Sequence, residues 1–204
     1  MSKLIEVNTE NPEKRKIDML AANLKKGSVI IFPTDTVYAI GCSIYHKTAI
    51  ERICKIKNVK LEKSLFSFIC KDLSNASQYA KQIDNSIFKV MKRCLPGPFT
   101  FILKASHEVP KILQYKRKTI GIRISKHAVP TELVNALGHP LIISSLPKKE
   151  LELEYYTDPS LINETYEKLV DYVIDGGIGG IEESTVVDCT AGELEIIREG
   201  MGEL

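Results

Sequence analysis

The sequence predicts a single-domain α/β fold, a twisted mixed β-sheet flanked by helices, from three observations. Short β-branched runs alternate with segments of helical period along the chain. The crossovers between them are irregular in length, which points to a mixed sheet rather than a regular parallel one. The 204 residues contain no repeat, low-complexity tract or long linker, so one domain over residues 1–204 is expected, large enough for a sizeable core.

Each element follows from local pattern. Asn11-Pro12 opens a helix whose stripe Ile17, Leu20, Ala21 and Leu24 runs up to Gly27. Residues 29–32 (Val-Ile-Ile-Phe) form a buried strand that stops at Pro33, which has no N–H for a ladder. A second apolar run covers 39–42. Residues 46–57 return to helical period, with Ala49, Ile50, Ile53 and Cys54 on one face, and 57–60 form an exit loop. A strand is predicted at 65–70 and helices near 73–82 and 85–94, closed by the breaker Leu95-Pro96-Gly97-Pro98. Strands at 99–103 and 119–124 flank a basic loop. A helix over 129–137, a strand at 141–144, a polar excursion over 148–156 and a helix near 159–170 follow. Strands at 172–174, 185–187 and 194–197 complete the chain.

Charge is unevenly distributed. Residues 1–149 hold 26 Lys and Arg against 11 Asp and Glu, a net +15, while residues 150–204 hold 2 against 15, a net −13. The cations cluster over 46–63 and 104–126. This pattern predicts a basic concave cavity suited to phosphates or nucleic acid; the opposing expectation is that the acidic quarter packs over the basic part and neutralises it. The five cysteines lack a CxxC pair and the four histidines are isolated, so no metal site built from side chains and no disulfide framework is expected. No apolar run reaches membrane-span length and the first residues lack a signal-peptide core, so a cytoplasmic protein with no membrane association is expected.

The most informative segment joins the strand at 29–32 to the run at 39–42. Thr34, Asp35, Thr36 and Tyr38 sit just past a buried strand, where α/β proteins place their sites. The alternative is a capped turn in which Thr34 or Asp35 bonds its own backbone. Gly176-Gly177-Ile178-Gly179-Gly180 lacks dinucleotide spacing and reads as a flexible turn. No Ser/His/Asp arrangement or catalytic cysteine signature is visible, so any catalysis rests on positioning and electrostatics.

Five ordered segments together resemble the YrdC-like threonylcarbamoyl-AMP synthases over residues 33–200. Pro33-Thr34-Asp35-Thr36-Val37-Tyr38 resembles the family's P-T-D/E-T-x-Y signature, and Leu95-Pro96-Gly97-Pro98-Phe99-Thr100 its P-G-P-x-T turn. Thr119-Ile120-Gly121-Ile122-Arg123, with His127 after it, is similar to T-V-G-V-R…H. Ser184-Thr185-Val186-Val187-Asp188 and Ile197-Arg198-Glu199-Gly200 match S-T-V-V-D and the terminal R-x-G. The resemblance implies a YrdC-like α/β twist and a reaction: L-threonine, bicarbonate and ATP give threonylcarbamoyl-AMP and pyrophosphate, for tRNA threonylcarbamoyladenosine modification. ATP is then a substrate, and Mg²⁺ rides on its phosphates. The resemblance also implies Lys55, Lys57 and Arg123 as catalytic cations, Thr34, Thr36 and Tyr38 as substrate-binding, and Lys55, Ser145, Ser184 and Arg198 as nucleotide-binding. tRNA or double-stranded RNA, and proteins of the tRNA modification pathway, are the implied partners.

Several positions depart from the family pattern. Its K-x-R pair reads Lys55-Ile56-Lys57, which keeps the charge without arginine's bidentate fork. Its S-x-N pair reads Ser145-Leu146-Pro147, glycine after the signature tyrosine is replaced by Ala39, and the Asn-Pro before Leu65 is missing. These departures resemble the YciO-type branch. Two further expectations therefore stand beside the synthase: an RNA-binding protein with weak or no synthase activity, and a scaffold for a different small acid or nucleotide. On the bare residues, Lys55 also reads as a helix-end cation paired with Glu51, and His127 as a helix-entry residue.

Overall fold

The computed structural model describes residues 2–114, 118–147 and 153–204. In chain order its elements are β1 (Lys3–Glu6), α1 (Lys14–Lys25), β2 (Ile30–Phe32), β3 (Ala39–Ser43), α2 (Lys47–Ile56), β4 (Ser67–Ile69), α3 (Leu73–Tyr79), α4 (Asn85–Cys94) and β5 (Phe99–Lys104). There follow β6 (Thr119–Arg123), α5 (Ala128–Leu137), β7 (Leu141–Ser145), α6 (Glu154–Thr157), α7 (Pro159–Tyr166), β8 (Tyr172–Asp175), β9 (Thr185–Asp188) and β10 (Glu195–Arg198). The ten strands form one sheet in the order β1-β8-β2-β3-β7-β4-β6-β5-β9-β10. Four pairings are parallel and five antiparallel, so the sheet is mixed.

The two-residue period of the strands decides what lies on each face. On one face Ile40, Cys42, Phe68, Phe101, Leu103, Ile120, Ile122 and Ile142 form a continuous core under α2, α3, α4 and α7. On the other, Phe32, Ala39, Ile69, Leu141 and Ile143 are covered by α1 (Ile17, Leu20, Leu24) and α5 (Val129, Leu133, Val134, Leu137). That second cover runs from β1 and β8 through β2, β3 and β7 to β4 and stops there. On the β6-β5-β9 half the same face carries Thr119, Gly121, Arg123, Thr100, Ile102, Val186 and Asp188, and these line a cavity.

Two elements were not legible in the sequence. β1 is a four-residue strand with no hydrophobic alternation, and it exists because β8 offers it a parallel partner, Lys3 opposite Tyr172 through Glu6 opposite Asp175. α6 overlaps the end of the stretch 148–156 read as a polar excursion, whose residues 148–152 fall outside the described residues. The predicted helix near 159–170 ends earlier, at Tyr166, and starts on the Asp158 carboxylate, which accepts from the Ser160 and Leu161 N–H groups. All five cysteines are unpaired and buried.

Candidate functional site

The cavity holds about 750 Å³, within the usual 300–1,000 Å³ of small-molecule sites. Its floor is the helix-free half of the sheet. Gly121 makes that floor close-packed: a Cβ there would lie 2.5 Å from Ser67 Oγ. The mouth is lined by the segment from Lys57 to Phe66 on one side and by Glu183, Ser184, Ile197 and Arg198 on the other.

Arg123 is the centre of the polar end. It occupies the last position of β6 on the cavity face, and its side chain is 7% exposed. Its Nη2 donates to Asp35 Oδ1 at 3.0 Å and to Thr36 Oγ1 at 3.0 Å, while Nε has no partner among the described residues. Burial pushes the guanidinium pKa down and the Asp35 carboxylate opposes that shift. The group nevertheless stays charged, because an arginine is not deprotonated in proteins.

The turn Pro33–Val37 is built for this contact. Thr34 Oγ1 accepts from the Thr36 N–H at 3.1 Å and donates to the Val37 carbonyl at 2.7 Å. Its single proton is thereby used, so at the 3.0 Å contact between the two threonines Thr36 is the donor. The result is a directed chain from Arg123 through Thr36 and Thr34 to the Val37 carbonyl. Thr34 thus serves the turn, does not line the cavity, and realises the capped-turn reading; Thr36 does line it.

Tyr38 is also placed away from the cavity. Its ring is buried against Gly179, and its hydroxyl donates to the Gly177 carbonyl at 2.8 Å and accepts from the Gly176 N–H at 3.2 Å. Burial pushes the phenol up to about 12. The glycine-rich segment, read from sequence as a flexible turn, is instead clamped onto the 33–38 turn: a Cβ on Gly180 would lie 2.1 Å from the Thr36 carbonyl oxygen. Tyr38→Phe leaves both glycine backbone groups without this partner. It is expected to lower stability by about 1–3 kcal/mol, measured by urea unfolding.

The opposite wall comes from the acidic quarter. Arg198 donates through Nε and Nη2 to the Ser184 carbonyl at 3.1 and 2.7 Å, through Nη2 to Ser184 Oγ at 3.2 Å, and through Nη1 to the Glu183 carboxylate. Ser184 Oγ is also 2.8 Å from Thr100 Oγ1. Lys57 Nζ donates to the Ser145 carbonyl; burial pushes its pKa down while the Glu183 charge opposes the shift.

Of the residues singled out from sequence, the fold gathers Thr36, Lys57, Arg123, Ser145, Ser184 and Arg198 around one cavity. Lys55 is exposed on the last turn of α2 and outside the lining, because two residues along a helix turn a side chain by more than half the circumference. His127 is a helix-entry residue: its Nδ1 accepts from the Val129 N–H at 3.2 Å, and burial pushes its pKa down. The expected basic cavity keeps only a small excess of cations. The lining carries Lys57, Lys63, Arg123 and Arg198 against Glu62, Glu183 and Asp188, because the acidic quarter supplies one wall. Asp35 belongs to the polar cluster read from sequence but was given no role there, and it is the partner that fixes Arg123. No group of three His, Cys, Asp or Glu among the described residues could hold a metal ion.

Residues 22–200 match the Sua5, YciO and YrdC family model, described as "Telomere recombination". The YciO protein of Escherichia coli is 40% identical over 205 residues, covering 100% of this chain and 98% of that protein. The crystal structure of E. coli YciO matches with a TM-score of 0.91 over the same shares. The threonylcarbamoyl-AMP synthase of Pyrococcus abyssi is 28% identical over 94% of this chain and 56% of that protein. The structure of P. abyssi Sua5 complexed with L-threonine matches with a TM-score of 0.85 at 26% identity, covering 98% of this chain and 58% of that one. With a family model matched over residues 22–200 and a relative 40% identical along its whole length, the chain belongs to the Sua5/YciO/YrdC family.

Proposed function

We propose that this protein is an ATP-dependent nucleotidyltransferase of the threonylcarbamoyl-AMP synthase type, joining L-threonine, bicarbonate and ATP with release of pyrophosphate. The observation that carries the reading is the convergence of Lys57, Arg123 and Arg198 with the hydroxyls of Thr36, Thr100 and Ser184 in one cavity. The chemistry asks for no more. The threonine amine attacks the carbon of CO₂ formed from bicarbonate, and the proton it loses joins the hydroxide left by bicarbonate as water, giving the N-carboxylate. A carboxylate oxygen attacks the α-phosphorus of ATP and pyrophosphate leaves. That second step abstracts no proton, so no nucleophile–base pair is needed; cations and fixed donors neutralise and align the phosphates. In this reading Lys57, Arg123 and Arg198 face phosphate and carboxylate oxygens, Ser145 and Ser184 the nucleotide, and Thr36 the amino acid. Thr34 and Tyr38 hold the turn and the glycine segment. The P. abyssi Sua5 structure complexed with L-threonine supports threonine as the amino acid, and we propose tRNA modification as the use of the product.

The test is pyrophosphate release from MgATP and bicarbonate, with and without L-threonine. Threonine-dependent release is the expected result. Binding of ATP with no threonine-dependent release would overturn the synthase reading. It would favour the second one, a YciO-type RNA-binding protein, which rests on the +15 of residues 1–149. RNA affinity falling steeply with salt would mark that second reading.

A further inference from the structure

We infer that Asp35 is a positioning residue of this cavity: its carboxylate aims the Arg123 guanidinium and compensates its charge, so that Arg123 selects a ligand oxygen by direction rather than by net charge. The geometry is complete on the Asp35 side. Oδ1 accepts from Arg123 Nη2 at 3.0 Å and from Ser125 Oγ at 2.7 Å, and Oδ2 accepts from the Lys126 N–H at 3.2 Å. The carboxylate is 9% exposed. Asp35 follows β2, whereas its three partners sit at the end of β6 or just beyond, and three strands separate β2 from β6 in the sheet. The 33–38 turn therefore reaches across the sheet to hold the exit of β6. A carboxylate bonded from three directions fixes the arginine it faces, and in a buried setting their charges offset each other.

The two arginines of the cavity are balanced in the same way. Arg198 has Glu183, and Arg123 has Asp35, while Lys57 bonds a carbonyl. Arg123 lines the cavity with Nε unpartnered among the described residues, so donor capacity remains on a group whose charge is already offset. Such a subsite favours an oriented oxygen and limits the pull on free polyanions.

The test uses the full chain and inorganic pyrophosphate as probe, with turnover as a second readout that rests on the proposed reaction. Asp35→Asn keeps the shape and removes the charge. Pyrophosphate Kd by calorimetry is expected to fall about threefold or more. Threonine-dependent turnover is expected to fall about tenfold or more in kcat. A purely structural role would weaken both together. A folded Asp35→Asn protein whose pyrophosphate Kd is unchanged or raised overturns the inference. Ser125→Ala removes the hydrogen bond to Asp35, together with the one Ser125 Oγ accepts from the His127 N–H, and no charge, so it keeps the idea testable where Asp35→Asn does not fold. It is expected to leave pyrophosphate affinity within about twofold and to shift or broaden the Arg123 Nε–H resonance; an unchanged resonance overturns the positioning role. Absence of threonine-dependent turnover in the wild type would overturn the proposed reaction alone, leaving the pyrophosphate and resonance arms to decide on Asp35.

Discussion

Arg123→Met is expected to destabilise the protein by about 3–5 kcal/mol and to abolish threonine-dependent pyrophosphate release. The stability loss comes from what is left behind. Asp35 is 9% exposed and would keep its charge with only Ser125 and the Lys126 N–H as donors. A buried ion pair broken on one side costs the desolvation of the remaining charge, whereas removing both sides does not. The double variant Arg123→Met/Asp35→Asn is therefore expected to recover a large part of the loss while staying inactive. Urea unfolding of the four proteins measures this coupling directly. A single variant that loses less than about 1 kcal/mol would show that the pair is solvated and contributes as a surface bridge does.

Gly180→Ala is expected to be the most damaging of the small substitutions near the site. The added methyl would meet the Thr36 carbonyl oxygen at 2.1 Å and its carbon at 3.2 Å, a contact with backbone rather than with a side chain that can swing away. Relief requires the glycine segment and the 33–38 turn to part. Thr36 takes the hydrogen bond from Arg123, so parting them disturbs the polar end of the cavity as well. A loss of about 1–3 kcal/mol is expected, together with weaker ATP and threonine binding, read by calorimetry. Wild-type affinity in a folded Gly180→Ala protein would show that the clamp of the glycine segment is not coupled to the site.

The glycine segment illustrates where sequence reading stops. Gly176–Gly180 gives no local signal beyond flexibility, because what makes it rigid is a tyrosine hydroxyl 138 residues away in sequence. Lys55 and Lys57 are a second case. Both are cations in a K-x-K pair, and local pattern cannot say which faces the sheet; the phase of α2 and its exit toward Ser145 place Lys57 in the lining and leave Lys55 in solvent. Arg123 was legible for the opposite reason, since an arginine between isoleucines in a strand needs a buried partner, and the fold supplies Asp35.

By itself the sequence determined the mixed α/β architecture, most of its strands and helices, and the family. Hydrophobic period and turn residues act over a few neighbours, and five ordered motifs identify a relationship without reference to geometry. Only the tertiary structure decided which of those motif residues share a cavity, that the acidic quarter forms one of its walls, and that Asp35 holds Arg123. Those outcomes depend on strand order and on the face each side chain takes, and the β2–β6 approach across three intervening strands is set by the whole sheet rather than by any segment of it.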